Sequence, residues 1–332
     1  MIDFRYHVVS IVAVFLALAT GLVLGASLLN SDLIKVLQNR TSTLADDKDE
    51  LRAQLDAANG QTDFLQQMTA DLGPLAVRDE LLDETVVVLA LPGADKAAVS
   101  AVTTLASQSA GAQITGVITV TDQWTAPDQA SVLDSLVAQL VPDGVTLPAG
   151  TAYDRAAALL SAALVTDPTD GTSDGSTTPP PEESGGTATN PPGQHAVEAI
   201  LAGLQAGGFI SYDTAPPLAD LAIVVAGPPP ETSDPDQIST ANGAWVSLAA
   251  TLDDVGAAAV LAGPSGTNGT NGAIAALLAD PTAAAAVSTV GSVDAPSGQV
   301  ATVLALSAEV SGVTGHYGPS AADGPIPDLS GG

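Results

Sequence analysis

Cysteine is absent from the 332 residues. That excludes disulfides, thiolate nucleophiles and cysteine-ligated metal centres together. It is compatible with an oxidising compartment but does not require one. Aromatic residues make up only 3% of the chain, so Ala, Val and Leu must fill the core that a 46% hydrophobic composition allows. Positive charge is also scarce: eight Lys and Arg stand against 37 Asp and Glu, a formal net charge of -29. Nucleic acid repels such a chain, which excludes DNA and RNA as partners. All eight cations lie at or before Arg155, while the acids divide 19 to 18 about that point. Carboxylate–Arg pairs are therefore impossible within the last 177 residues, and the acids there are expected to be mostly solvated.

Catalytic and cofactor motifs are equally sparse. No GxSxG marks a nucleophile, and the histidines are only His7, His195 and His316. His7 stands at the edge of the first apolar run, His195 leaves a low-complexity stretch, and His316 falls in an expected turn, Gly315-His316-Tyr317-Gly318. Copper favours thiolate, thioether and imidazole. With Met1 and Met68 the only thioethers, His195, His316 and Met68 are the weak metal candidates, and none pairs at ligand spacing. Asp46-Asp47-Asp49-Glu50 and Glu182-Glu183 could hold calcium weakly but read better as solvated surface. Asn39-Arg40-Thr41 and Asn268-Gly269-Thr270 match the N-x-Ser/Thr acceptor, a pattern frequent by chance. No catalytic residue and no cofactor site is identified, and the chain is not expected to be an enzyme.

What is present begins at the N-terminus. Residues 8–29 (VVSIVAVFLALATGLVLGASLL) carry no charge, and about 20 residues at ~1.5 Å rise span a bilayer core. Residues 1–7 form a short cytoplasmic collar with Arg5, Tyr6 and His7 at the interface. The alternative is a cleaved signal peptide, with Ala17-Leu18-Ala19 or Gly25-Ala26-Ser27 as the processing site. The length of the run favours an anchor, N-terminus inside and acidic mass outside. Ala13, Ala17, Gly21 and Gly25 recur every four residues, a stripe that permits close helix approach, or a chance pattern in an Ala-rich helix.

Residues 30–73 follow in heptads. Leu37, Leu44, Leu51, Ala58, Leu65 and Leu72 fall at d, with Ile34, Thr41, Lys48, Leu55, Thr62 and Thr69 at a. Leu at d with polar residues at several a positions fits a two-stranded parallel coiled coil. The expected homodimer face comprises Ala13, Ala17, Gly21, Gly25, Ile34, Leu37, Leu44, Leu51, Leu55 and Leu65. The competing reading is an amphipathic helix packed on its own head. Asn59-Gly60 should weaken the helix and Gly73-Pro74 should end it.

Residues 80–318 alternate apolar β-rich runs with helical patterns. Strands are expected at 85–91, 113–120, 221–226, 257–262 and 287–290, and helices at 94–109, 128–141, 153–165, 195–205, 237–252, 273–279 and 299–310. Uniformly apolar strands between helices imply an α/β fold, a doubly wound, Rossmann-like parallel sheet buried on both faces. Residues 167–194 contain only Gly, Ser, Thr, Pro, Ala, Asn, Gln and acids and are expected to be a disordered insert, with 319–332 a loose tail. Ligands in such sheets bind beyond the strand ends. Pro92-Gly93-Ala94-Asp95, Gly227-Pro228-Pro229-Pro230 and Gly263-Pro264-Ser265-Gly266 occupy those positions, and none is a GxGxxG or a GxxxxGK loop.

The opening Met1-Ile2-Asp3-Phe4-Arg5-Tyr6-His7-Val8-Val9-Ser10, running into Phe15-Leu16-Ala17-Leu18-Ala19-Thr20-Gly21, resembles the start of the actinobacterial copper transport protein B (MctB) family. So do Gly298-Gln299-Val300-Ala301, Leu304-Ala305-Leu306 and Gly315-His316-Tyr317-Gly318. The resemblance implies copper transport or homeostasis across the cell envelope, through an outer-membrane channel. An outer-membrane barrel needs many alternating strands of about ten residues, whereas the runs here are short and uniformly apolar. A second reading follows from the similar SteB envelope proteins: a non-enzymatic coiled-coil scaffold or regulator in a cell-wall hydrolase complex, with an envelope protein as partner.

Overall fold

A computed structural model describes residues 4–142, 146–166, 193–229, 234–265, 272–319 and 321–328, apart from the side chains of 26–34 and 37. The expected insert (up to residue 192), Glu182-Glu183, Asn268-Gly269-Thr270 and the side chains of Ile34 and Leu37 lie outside the described residues. The chain divides into two units, Met1–Leu65 and Gln66–Gly332.

The first unit is helical. Helix α1 runs from Phe4 to Ala76. Its Phe4–Gly25 stretch is long and apolar enough to cross a membrane, with a mean hydropathy of 2.6 and no buried residue. The helix passes through Asn59-Gly60, and it continues two residues beyond Pro74. A helical Gly costs about 1 kcal/mol, too little to break a long helix. Pro74 sits in the last turn, where Val77 still donates its N–H to the Gly73 carbonyl at 3.1 Å.

The second unit is built on a seven-stranded sheet. Its strands are β1 (Thr85–Ala90), β2 (Gln113–Val120), β3 (Ile210–Ser211), β4 (Leu221–Val225), β5 (Ala258–Ala262), β6 (Ser288–Val290) and β7 (His316–Tyr317). They lie in the order β3-β2-β1-β4-β5-β6-β7. All neighbours pair in parallel except β2 and β3, which are antiparallel. The sheet is therefore mixed, not wholly parallel as expected. His316 stands in edge strand β7, paired with Thr289, and not in a turn. Two-residue strands carry no apolar period of their own; a neighbouring strand's free edge creates them.

Alternate residues of the central strands feed two apolar layers. Val87 and Leu89 face a core with Trp124, Leu160, Leu164, Leu201 and Leu248. That layer includes α3 (Ala130–Leu140), α4 (Ala152–Leu164), α5 (Gln194–Ala206), α6 (Pro235–Val255), α7 (Ala273–Ala279) and α8 (Pro281–Ala286). Val86, Val88 and Ala90 face the other layer, with α2 (Lys96–Gln108) and α9 (Pro296–Val310). Helix starts are chemically marked. Asp95 caps α2, Thr151 and Asp154 form a reciprocal capping box on α4, and Asp234-Pro235 and Asp280-Pro281 open α6 and α8. The unit starts before residue 80: Val77 and Leu81 are fully buried in the second layer. Part of the tail also returns onto β7, where Asp323 Oδ2 accepts the His316 N–H at 2.8 Å.

Candidate functional site

In open α/β sheets the ligand crevice lies where the crossovers leave in opposite directions from adjacent strands. Here those strands are β1 and β4. Their following turns converge on a 490 Å³ hollow lined by Pro92, Gly93, Asp122, Gly227, Pro228 and Trp245, among others. Two of the three expected strand-end turns thus meet. The two turns pack directly on each other beside the hollow. A Cβ on Gly227 would stand 2.1 Å from the Pro92 carbonyl, and the Pro228 ring stands over Gly93, whose φ is +75°. The N-terminus of α2, which would ordinarily offer donors to an anion, is already capped: Asp95 Oδ1 accepts the Ala97 N–H at 2.9 Å. Among the described residues no Lys, Arg or His lines the hollow, and Asp122 is its charged residue. The third turn serves another purpose. Ser265 donates both its N–H and its hydroxyl to Asp294 Oδ1, at 2.8 and 3.0 Å.

A wider groove of 1130 Å³ runs along α6 beside α7 and α8 and carries four carboxylates, Asp154, Asp253, Asp254 and Asp280. Three of them hold backbone. Asp154 Oδ2 accepts the Thr151 N–H at 2.7 Å, Asp253 Oδ1 the Ala259 N–H at 3.0 Å, and Asp280 Oδ1 the Thr282 N–H at 2.9 Å. Burial works to raise the Asp154 carboxyl, but hydrogen bonds from Thr151 and Ser247 and the Arg155 charge bring it below its ordinary range. Asp253 goes the other way. Burial pushes it up to about 6, against the lowering effect of the Ala259 bond and with Glu309 and Asp254 adding repulsion.

Glu309 corrects the expectation that acids in the cation-free half are solvated: it is 8% exposed. Its Oε1 accepts the Ser288 N–H at 2.6 Å and its Oε2 the Thr314 hydroxyl at 3.1 Å. The Ser288 hydroxyl in turn accepts the Gly315 N–H at 2.9 Å. Burial raises the Glu309 carboxyl despite these bonds. The group ties the start of β6 to the turn before β7. In sequence it was an ordinary acid at the end of an apolar helix pattern, and only the apolar run of α9 hinted at its burial.

The metal candidates do not converge. His195, fully exposed on α5, has Nδ1 4.0 Å from Glu198. Helix α5 contacts β3, one edge of the sheet, whereas His316 is on β7, the other edge. Six strand spacings of about 4.8 Å put those edges about 29 Å apart. His316 Nδ1 lies 3.1 Å from Thr289 Oγ1. Met68 is on α1, 43% exposed. Among the described residues no group of three or more His, Cys, Asp or Glu side chains could hold a metal ion.

The expected dimer face lies on α1. Leu44, Leu51 and Leu55 are 68%, 65% and 59% exposed, and Leu65 is exposed as well. In the membrane stretch, Ala13 and Ala17 line a shallow groove, while Gly21 and Gly25 have open space where a Cβ would stand.

Comparison with known proteins gives one consistent result. A family model described as "Copper transport outer membrane protein, MctB" matches residues 1–327. Proteins named copper transporter MctB from Mycobacterium tuberculosis and Mycobacterium bovis are 31% identical over 323 residues, 96% of this chain and 96% of each relative. The Mycobacterium leprae protein of the same name is 31% identical over 337 residues, again covering 96% of both chains. With the membrane-length helix, the strand-end turns and the β7 segment all inside the matched span, the chain belongs to the MctB copper transport family.

Proposed function

We propose that this protein handles copper at the cell envelope as a single-pass, inner-membrane-anchored protein with its acidic head outside the cytoplasm. The observation that carries the reading is the family match over residues 1–327, anchor included, to proteins named copper transporters. Orientation is supported by Arg5 and the free amine ahead of the apolar stretch, and by 18 acids with no Lys or Arg beyond Arg155. The head is a doubly wound, Rossmann-like domain, supported by the β3-β2-β1-β4 order with apolar layers on both faces. Two copies pair through α1, where the exposed heptad leucines form a coiled coil. Copper is the transported species, with family membership as its support.

The test is genetic and chemical together. Deleting the gene should raise cellular copper and lower the copper concentration that stops growth. The full chain should restore both, and a chain lacking residues 8–29 should not. Unchanged cellular copper in the deletion strain would refute the reading. Protease access to a C-terminal tag on intact cells checks the orientation, and protection of the tag would reverse it.

A second reading is favoured by the exposed leucines of α1 and by a strand-end hollow that has no Lys, Arg or His among its described lining residues: a scaffold or regulator acting on a cell-wall hydrolase through a protein partner. A pull-down comparing the full chain with one lacking residues 30–72 tests it. An identical set of captured proteins would count against it.

A further inference from the structure

We infer that two copies of this chain pair in parallel and in register along one seam, which begins inside the membrane helix at Val9, Ala13, Leu16 and Thr20 and continues through Leu44, Leu51 and Leu55. The inference rests on the pairing reading above and adds its orientation, its register and its path through the membrane.

The path comes from two separate observations. Counting back by sevens from Leu51 and Leu44 reaches Val23, Leu16 and Val9 at d. Counting back from Leu55, Lys48 and Thr41 reaches Thr20 and Ala13 at a. Independently of any counting, the membrane stretch carries a shallow groove of 490 Å³ lined by Val9, Ala13, Leu16 and Thr20, with Val12 and Ala17 at the adjoining g and e positions and Val8 at its end. A groove at four consecutive a and d positions is where side chains of a facing helix would seat. Thr20 is suited to that place in lipid, because its hydroxyl donates to the Leu16 carbonyl.

The four-residue stripe follows a different course. In the same phase Ala13 is a, Ala17 is e, Gly21 is b and Gly25 is f. Only its first two members border the groove, and Gly21 and Gly25 turn away from it. A heptad seam drifts about 20° per heptad on a straight helix, so the pair must wind left-handedly to keep it closed. The Gly21–Gly25 approach belongs to the opposite, right-handed crossing.

Charge sets the register. Asp47 is at g and Arg52 at e of the next heptad. A parallel pair in register brings each Asp47 to the second copy's Arg52, once on each side of the seam. Within one helix Arg52 makes an exposed contact with Asp49 at 3.8 Å, which it can give up. A slip of one heptad would instead set Arg40 against the second copy's Arg52. Of the other g and e residues across the register, Gln54 with Asn59 and Gln61 with Gln66 are uncharged, and Arg40 meets the neutral Ala45.

The absence of cysteine makes the test direct. Single-cysteine variants of the full chain, V9C, L16C, L51C, G25C and A53C, are oxidised mildly in native membranes. Disulfides need Cα atoms within about 7 Å, which like residues meet at d but not at f. We expect V9C, L16C and L51C to form linked dimers at least tenfold faster than G25C and A53C. Arg52→Asp should weaken the dimer about fivefold in detergent, and adding Asp47→Arg should restore it. A dimer by sedimentation that links fastest at 25 or 53, or at no position, overturns the seam while leaving pairing intact. A monomer at every concentration overturns the pairing reading itself. All five positions are solvent-facing or half-exposed in the single chain, so folding of the head is not at stake.

Discussion

Replacing Asp253 by Asn should make the head more stable at neutral pH, although it removes a charge from a hydrogen-bonded carboxylate. The carboxyl lies in the last turn of α6, where burial first and then Glu309 and Asp254 push it up to about 6 from an ordinary 3.8. Between those values the folded chain holds a proton that the unfolded chain has lost, so stability falls as pH rises through this window. Above about pH 6 the whole penalty is present; below about 3.8 it is gone. At 1.36 kcal/mol per pH unit the gap corresponds to about 3 kcal/mol. The group is only partly buried, and solvent screening brings the usable figure to about 1–2 kcal/mol. Asn keeps an oxygen to accept the Ala259 N–H at 3.0 Å and cannot ionise. Trp124 and Trp245 are both buried in the head, so denaturant unfolding of the full chain in detergent, read by tryptophan fluorescence, reports on that unit. The variant should gain about 1–2 kcal/mol at pH 7, and the gain should shrink steadily toward pH 4. A loss of stability at pH 7, or a difference that does not change with pH, would refute the reasoning.

Three further substitutions probe the packing. Ser161 is fully buried on α4 and its hydroxyl has no hydrogen-bond partner among the described residues; Ser161→Ala should stabilise the head by about 1 kcal/mol, and a loss in the same unfolding assay would contradict this. Gly227→Ala drives a Cβ against the backbone of Pro92, Gly93 and Ala94 at 2.1 to 2.9 Å; we expect a cost of about 3 kcal/mol or failure to fold, and an unchanged melting temperature would show that the two turns can part. Glu309→Ala leaves the buried Ser288 N–H without its acceptor, for an expected loss of about 2–3 kcal/mol; a loss below about 0.5 kcal/mol would mean that water replaces the carboxylate.

Much of the head was legible from pattern alone. Uniformly apolar runs such as 85–91 and 257–262 end at Gly-Pro or Pro-Gly turns, and the strands form there because burial on both faces of a sheet leaves no room for polar side chains. Helices ended close to expectation where an Asp, Thr or Pro cap stood in sequence. The missed strands share one cause. Ile210-Ser211 and His316-Tyr317 are strands only because β2 and β6 offer them partners, and α8 exists because Asp280 caps a short Ala run. Gly60 and Pro74 are the breaks that sequence predicts in α1, but each costs less than a helix of that length gains from its other hydrogen bonds. At the candidate site, sequence named the turns after β1 and β4 but not their mutual approach. Contact between segments more than 130 residues apart leaves no local trace.

By itself the sequence determined the membrane-length apolar helix, the heptad phase that follows it, the absence of thiolate chemistry and the α/β alternation, because each depends on neighbouring residues or on composition. The tertiary structure alone decided the strand order, the antiparallel edge at β3, the close approach of the turns at Pro92 and Gly227, and the burial of Asp253 and Glu309. Those outcomes depend on which distant backbone groups and carboxylates are brought together, and a carboxyl's ionisation is set by the surroundings that folding gives it, not by its place in the chain.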